Sequence, residues 1–242
     1  MNDFDYLNHY KTDALEFNYF EERKGATEHD ERRLREYIIS TIPKNVKLIL
    51  DVGCGSAWVA KYFIPKGKRV ISLDISATNP KQAIKNTQSK NHFGLTGDVF
   101  RLPIKNNFVD CIIASEIIEH VVKPDKFIKE IFKLLRPGGK LIITTPYKEK
   151  IQYNLCMHCN KKTPVNAHLH SFDEHKLRSF LVHKELEGFK WKTFGNKILV
   201  YLRTYVILKY FPFTLWKIKD LFANFIYHLP IHILVIYDKR KD

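Results

Sequence analysis

Two cysteines and two histidines in the stretch CMHCNKKTPVNAHLH have a spacing that suits a bound metal ion. Cys156 and Cys159 form a C-x₂-C pair, and His168 and His170 follow after eight further residues. Thiolates at that spacing bind zinc from a tight turn, and two imidazoles would complete a tetrahedron. Four protein ligands leave no open position, so the sequence predicts a structural zinc site. An alternative ligand set uses His158 and leaves His170 free to face a substrate.

A second stretch, LDVGCGSAW, has the character of a nucleotide-binding turn. Gly53 and Gly55 follow an apolar run, and glycine lets the backbone turn tightly and approach a ligand closely. A dinucleotide fingerprint requires a small residue where Trp58 stands, which argues against a pyrophosphate clamp. The next apolar run, RVISLD, ends on Asp74, whose carboxylate can accept hydrogen bonds from both ribose hydroxyls. The pattern therefore favours an adenosine that carries something other than a diphosphate.

The elements that position these residues alternate along the chain. VKLILD, RVISLD, VDCIIAS and KLIITT are continuous apolar runs, as expected of strands buried on both faces. Between them lie amphipathic stretches: AWVAKYF, residues 79–89 and PDKFIKEIFKLL. This alternation predicts an α/β fold with a doubly wound, mostly parallel sheet and helices on both faces. Ligands of such sheets bind beyond the carboxyl ends of the strands.

These motifs, in this order, resemble the class I S-adenosylmethionine (SAM)-dependent methyltransferases, and especially their small-molecule, type 11 branch. The resemblance covers about residues 48–147, with Ala57 where the third glycine of the family's loop usually lies. It implies a seven-stranded sheet and SAM as cofactor. Asp74 would bind the ribose, Asp98 and Val99 the adenine, and Ser115 and Glu116 would line the methionine end. The full implied set of cofactor-binding residues is Asp51, Gly53, Gly55, Asp74, Ile75, Asp98, Val99, Ser115 and Glu116.

Methyl transfer from a sulfonium is a direct displacement, so alignment is the protein's main task. A base is needed only if the nucleophile arrives protonated. His120 is the candidate catalytic base, because histidine titrates near neutrality. A helix-end histidine packed behind the cofactor explains the same residue without chemistry. His29, in the segment before the first strand, is a weaker candidate and is expected on a solvated helix face.

The C-terminal region departs from the family pattern. KWKTFGNK and HILVIYD are expected to close the sheet as an antiparallel pair, after a helix capped by Ser171 or Asp173 and ended by Gly188. Residues 198–230 between those strands form an aromatic insertion, predicted as two helices broken at Pro212. This insertion suits an interfacial helix pair on anionic lipid, a lid over an apolar acceptor, a dimer contact or additional core.

The net charge and the cysteine content indicate which partners and which cellular location to expect. The 242 residues carry a net charge of +14, and the last 54 contain ten Lys or Arg against three Asp. Such a balance favours nucleic acid, an anionic membrane or a phosphorylated substrate as partner. Four cysteines without an export signal favour a cytoplasmic location, with membrane association as an option.

The predicted organisation is an N-terminal helical cap over 1–45 and a methyltransferase domain over 46–242. The domain contains a Cys/His insertion at 147–170 and the helical insertion at 198–230. The predicted function is methyl transfer to oxygen or nitrogen of a small-molecule, lipid-linked or glycan acceptor. RNA methylation is the alternative, although the stretch after the fourth strand reads SEIIEH and lacks an Asn-Pro-Pro-Tyr type signature. The sequence leaves the oligomeric state open.

Overall fold

The structure is a computed structural model that describes residues 4–181 and 184–241. Its helices and strands, in chain order, are α1 (Tyr6–Glu16), α2 (Gly25–Thr41), β1 (Leu48–Val52), α3 (Trp58–Phe63), β2 (Arg69–Asp74), α4 (Thr78–Asn86), β3 (His92–Thr96), β4 (Val109–Ser115), α5 (Pro124–Lys133), β5 (Leu135–Pro146), β6 (Tyr153–Leu155), β7 (Lys162–Pro164), α6 (Glu174–Ser179), β8 (Leu186–Asn196), α7 (Lys197–Tyr201), α8 (Tyr205–Leu208), α9 (Phe213–Ile226) and β9 (Pro230–Lys239).

The main sheet has seven strands in the order β3-β2-β1-β4-β5-β9-β8. The first five are parallel, and β9 pairs antiparallel with both β5 and β8. In the central register Leu50 lies opposite Ile71 on β2 and Ile112 on β4. The predicted doubly wound, mostly parallel seven-stranded sheet is confirmed.

Helices cover both faces of this sheet because its central strands are apolar on both sides. Leu50 and Val52 of β1 pack with Phe127 of α5 in one buried cluster. Ile49, the residue before Leu50, points the other way and packs with Tyr37 of α2 in a second cluster. All five residues of β1 are buried, which explains why a continuous apolar run predicted the strand correctly.

The helix between β5 and β8 ends earlier than the sequence predicted. The helix that Asp173 caps ends at Ser179, well before Gly188. The prediction that Gly188 ends this helix was wrong, because Gly188 belongs to β8 and lies opposite Asp238 of β9 beside a register shift. Val182 and His183, within the predicted helix, lie outside the described residues.

The two insertions form separate small units. β6 and β7 pair as an antiparallel hairpin of their own, with Cys156 and Cys159 in its turn. The second insertion contains three helices, α7, α8 and α9, where two were predicted, and Pro212 is the N-cap residue of α9, at the predicted break. Among the described residues, no helix is long and apolar enough to cross a membrane. The division at residue 45 into a cap and a domain stays a prediction.

Buried polar contacts fasten the second insertion to the rest of the molecule. The Arg33 guanidinium of α2 donates to the carbonyl oxygens of Leu208 and Phe211, at 2.7 and 2.8 Å. The Asp220 carboxylate of α9 is fully buried and accepts hydrogen bonds from the backbone N–H groups of Gly195 and Asn196. The insertion therefore has a fixed orientation.

Candidate active site

A cavity of about 440 Å³ opens at the carboxyl ends of the parallel strands. Its floor includes Gly53 after β1, Asp74 at the end of β2 and Glu116 after β4, and α1 lies across it with Tyr6 and Tyr10. A wider groove of about 940 Å³ adjoins it and shares Gly53 and Glu116. The two spaces together form one continuous site at the edge where such folds bind ligands.

The glycine loop has a left-handed backbone and lies close to the Ile117 side chain, and both features explain its glycines. Gly53 has φ +68°, a conformation that favours glycine, and a Cβ there would lie 2.3 Å from Cδ1 of Ile117 and would displace that side chain. Gly55 is also left-handed, at φ +43°. Ala57, in the position of the family's third glycine, takes φ +52° at the start of α3. The substitution of alanine for glycine therefore keeps the loop conformation at some strain.

Asp74 is held as an organised acceptor at the end of β2. Its carboxylate accepts hydrogen bonds from the Ser76 N–H at 3.0 Å and the Asn79 side-chain amide at 3.1 Å, with a longer contact of 3.5 Å from the Gly55 N–H. Burial raises the pKa of Asp74, while these donors oppose the rise. The carboxylate is thus fixed toward the cavity, and the adjacent Ile75 also lines it.

Asp98 and Val99 line the same cavity, as the resemblance implies. The Asp98 carboxylate accepts from the Phe100 N–H at 3.0 Å and from the Tyr6 hydroxyl at 2.8 Å. Burial, reinforced by Asp98, raises the pKa of Tyr6 to about 12. Tyr6 was missed from sequence because it reaches Asp98 across 92 positions of the chain.

Asp51 and Ser115 face the wider groove. The Oδ2 atom of Asp51 is buried and has no hydrogen-bond partner within the described part of the chain. Burial, with the nearby charge of Asp74, raises the pKa of Asp51 well above its usual value. An unpaired buried carboxylate oxygen is costly unless a donor occupies the site, and a cationic amino group is the donor that suits it best. The residues present therefore fit a ligand with an adenosine at one end and an ammonium at the other.

Glu116 projects between the two spaces from a left-handed backbone, φ +53°. Nδ1 of the buried His232 lies 3.4 Å from Oε2 of Glu116, an ion-pair contact, and its Nε2 lies 2.9 Å from the Asp30 carboxylate. Burial alone would lower the pKa of His232, but Glu116 and Asp30 outweigh it and raise the pKa to about 10. A histidine cation thus positions Glu116, and sequence reasoning did not find it.

His120 lines the cavity a short turn beyond β4. Its Nδ1 lies 3.3 Å from the carbonyl oxygen of Ala167, which assigns the proton to Nδ1 and leaves Nε2 as an acceptor. Burial, and then the neighbouring His168, lower the pKa of His120 to about 4. The imidazole is neutral at pH 7 and can accept a proton.

Glu119 and His168 surround His120. One potential ligand atom from each of Glu119, His120 and His168 lies within 4.8 Å of the others, a group that could hold a cation as well as move a proton. Glu119 is buried and accepts from the Thr145 hydroxyl at 3.0 Å. Burial, with the charge of Glu116, raises the pKa of Glu119 well above its usual value.

The four predicted zinc ligands are not brought together in the described residues. Cys156 and Cys159 lie in the hairpin turn, where the Cys156 sulfur accepts from the backbone N–H groups of Cys159 and His158, which lower its pKa. His168 instead contacts Glu149, with Nδ1 2.5 Å from Oε2. The Nε2 atom of His170 is buried without a partner among the described residues. The cysteine pair suits a soft metal, but it supplies two ligands of four, so zinc stays a prediction.

His29 does not lie on a solvated helix face, as the sequence suggested. It is buried, its ring packs edge-on against Trp216 at 6.2 Å, and it lines neither part of the site. Burial, and then Arg33, lower the pKa of His29 to about 4. Its environment is that of a core residue beneath α9.

Comparisons with known proteins agree with this geometry. Residues 50–143 match the family described as "Methyltransferase domain". The malonyl-[acyl-carrier protein] O-methyltransferase of Buchnera aphidicola is 34% identical over 97 residues, covering 40% of this chain and 38% of that protein. The human mitochondrial ubiquinone biosynthesis O-methyltransferase is 30% identical over 139 residues, covering 50% of this chain and 37% of that protein.

The fold agrees over a longer stretch. A SAM-dependent methyltransferase from Archaeoglobus fulgidus superposes with a TM-score of 0.59 and 16% identity, covering 89% of this chain and 95% of that one. Residues 50–143 thus resemble a methyltransferase domain, and the fold of the chain is that of the class I, Rossmann-like SAM-dependent methyltransferases. It spans less than two fifths of the length of the two curated relatives named above, so those relatives' acceptors do not transfer to it directly.

Proposed function

We propose that this chain transfers the methyl group of SAM to a hydroxyl oxygen of a small-molecule or lipid-linked acceptor. The observation that carries the proposal is His120: a neutral imidazole on the cavity wall whose Nε2 is free to accept a proton. Two relatives with matching sequences are named as O-methyltransferases, which supports oxygen as the attacked atom.

The residues that would hold SAM are those whose geometry fits it. Asp74 would accept from the ribose, Asp98 and the Val99 backbone would face the adenine, and Asp51 would receive the ammonium. The Gly53–Gly55 turn lets the backbone approach, while Ser115 and Glu116 line the methionine end. When bound, SAM supplies an electrophilic methyl group, and alignment by such residues can provide about 7–11 kcal/mol of the barrier reduction.

His120 would act as the general base. As the acceptor oxygen forms its bond to the methyl carbon, the carbon–sulfur bond breaks with its electron pair on sulfur. The hydroxyl proton passes to Nε2 of His120, whose Nδ1–H stays on the Ala167 carbonyl. General-base assistance of this kind contributes about 10²–10⁴-fold in rate.

The acceptor class is tested by incubating purified protein with methyl-labelled SAM and extract of its host cells. The products are separated into organic-soluble, aqueous small-molecule, RNA and protein fractions. Label in the organic or small-molecule fraction supports the proposal. Label in RNA would replace it with RNA methylation, the reading that the charge of +14 favours.

The role of His120 is tested by His120→Gln, measured on the acceptor so identified. We expect kcat to fall about 10²–10⁴-fold with the dissociation constant for SAM unchanged. His175→Gln is the matched control, since that histidine is exposed and outside the site. An unchanged kcat contradicts the proposal. Loss of activity with a chelator, restored by a divalent cation, would instead assign Glu119, His120 and His168 to a metal ion.

We propose in addition that Cys156 and Cys159 bind zinc and fix the hairpin beside the site. Support comes from the tight turn that brings the two sulfurs together and from the backbone donors on the Cys156 sulfur. Metal analysis of freshly purified protein should give zinc that the double variant Cys156→Ser, Cys159→Ser loses. Zinc that is absent in wild type, or retained by the double variant, contradicts this assignment.

A further inference from the structure

Large apolar side chains are exposed in unusual density on the second insertion. Of 22 large hydrophobic residues exposed in the described part of the chain, 14 lie between positions 200 and 229. The most exposed of these 14 are Phe225 at 87%, Tyr201 at 86% and Tyr210 at 78%. We name the exposed hydrophobic residues of 200–229 the C-terminal apolar face. Exposed apolar side chains concentrated in one segment indicate an interaction site.

The C-terminal apolar face includes one side of helix α9. On α9 the opposite side is anchored by Trp216 and Asp220, both buried. Leu215, Ile218 and Phe222 follow at helical spacing on the outward side and are all exposed. Helix α9 therefore has one side packed against the rest of the molecule and the other side exposed.

Charge on this insertion has a single sign at the surface. Between 197 and 229 the chain carries five basic residues, at positions 197, 203, 209, 217 and 219, and one acid, Asp220. Because Asp220 is buried against the N–H groups of Gly195 and Asn196, the charged side chains that the insertion itself exposes are all basic. A second copy docked symmetrically would bring these cations against one another. An anionic bilayer complements both the apolar and the charged parts.

We propose that α7, α8 and α9 form a docking surface for an anionic lipid bilayer. The helices would lie in the plane of the interface, with Phe222 and Phe225 among the acyl chains and the lysines at the level of the lipid phosphates. Aromatic residues interleaved with cations are the composition of such interfacial segments.

The docking surface adjoins the wider groove. Arg32 lines that groove and donates to the carbonyl oxygen of Lys209, the residue directly after α8, at 2.7 Å. A bilayer on this surface therefore lies beside the entrance to the site, which suits a lipid-linked acceptor. This last step rests on the proposed function, whereas the docking itself does not.

The test is co-sedimentation of the full chain with vesicles of phosphatidylcholine alone or mixed with phosphatidylglycerol, without cofactor or acceptor. We expect binding to the mixed vesicles that weakens with added salt. The double variant Phe222→Ser, Phe225→Ser should lower the partition coefficient at least about tenfold. Phe93→Ser, an exposed aromatic on β3 at the far edge of the sheet, should leave it unchanged.

Three outcomes overturn the proposal. These are absence of wild-type binding to mixed vesicles, equal loss in the Phe93 control, or a solution dimer that the double variant abolishes while vesicle binding is absent. Melting temperature and SAM affinity of the double variant, unchanged from wild type, exclude misfolding as the cause of lost binding. The vesicle assay does not measure methyl transfer. A protein that binds vesicles but transfers no methyl group would therefore refute the proposed function and leave the docking proposal standing.

Discussion

Single residues in this site are constrained mainly by what lies opposite them. Gly53 faces the Ile117 side chain, Asp74 faces several hydrogen-bond donors, and Glu116 faces a charged histidine. The residue types followed from the sequence motifs. Their partners did not, because the partners come from distant positions in the chain.

Gly53→Ala is expected to weaken SAM binding while leaving the fold. The new Cβ would meet Ile117 Cδ1 at 2.3 Å, in addition to the strain of a left-handed backbone. We expect the dissociation constant for SAM, measured by calorimetry, to rise more than about tenfold, since strain of this kind costs about 1–3 kcal/mol. Gly25→Ala is the control: Gly25 has φ +66° but nothing within 4 Å of its Cβ. Equal loss of SAM affinity in both variants would show that crowding by Ile117 is unimportant.

The pH dependence of stability should report His232. Its pKa is raised from 6.5 to about 10 in the folded protein, so its ion pairs contribute fully below pH 6.5. That contribution is lost as pH rises through about 10. The free energy of unfolding in urea should therefore decline between these values, and His232→Gln should remove that part of the decline. An identical profile in wild type and variant would mean that Glu116 and Asp30 do not hold a cation.

At the scale of elements, periodicity predicted β1, β2, β4 and β5 because these strands are buried on both faces. β3 has only His92 buried, and its sequence HFGLT carried no strand signal for that reason. The helix predicted up to Gly188 failed because pairing with β9 extends β8 back to Leu186. Likewise, α1 showed no strong apolar stripe, so its position across the cavity was visible only in the structure.

Removal of the Asp220 carboxylate should weaken the attachment of α9. Asp220→Ala leaves the N–H groups of Gly195 and Asn196 buried without their acceptor, at a cost of about 1–3 kcal/mol in the free energy of unfolding. Asp125→Ala is the control, because Asp125 is exposed and its ion pair with Lys129 contributes less than about 1 kcal/mol. Chemical denaturation measures both. Equal values for the two variants would contradict the anchoring role of Asp220.

On the scale of the whole molecule, the site joins parts that are far apart in the chain. α1, the ends of β1, β2 and β4, and the segment at 166–167 all line one cavity. A ligand there contacts the first and the middle parts of the chain at once. Binding should therefore stabilise the whole fold.

S-adenosylhomocysteine, the product of methyl transfer, should raise the melting temperature. At a hundredfold excess over the dissociation constant the gain is about 2.7 kcal/mol. For a chain of this size that corresponds to about 5–10 °C. Differential scanning calorimetry with and without the ligand checks this, with Gly53→Ala as the variant whose response should be smaller. A melting temperature that is insensitive to the ligand in wild type would contradict the assignment of the cavity.

The buried guanidinium of Arg33 has a consequence for synthesis of the chain. Arg33 emerges from the ribosome long before Leu208 and Phe211, whose carbonyl oxygens accept its hydrogen bonds in the folded protein. Before those residues are made, Glu36 of the same helix is its remaining side-chain partner. Because a buried guanidinium that lacks these two acceptors is unfavourable, we expect α2 to dock less tightly on the early strands until α8 has been made. The hydrogen bonds between Arg33 and these two carbonyl oxygens therefore form late. The C-terminal apolar face beside them reaches its final orientation only near the end of synthesis.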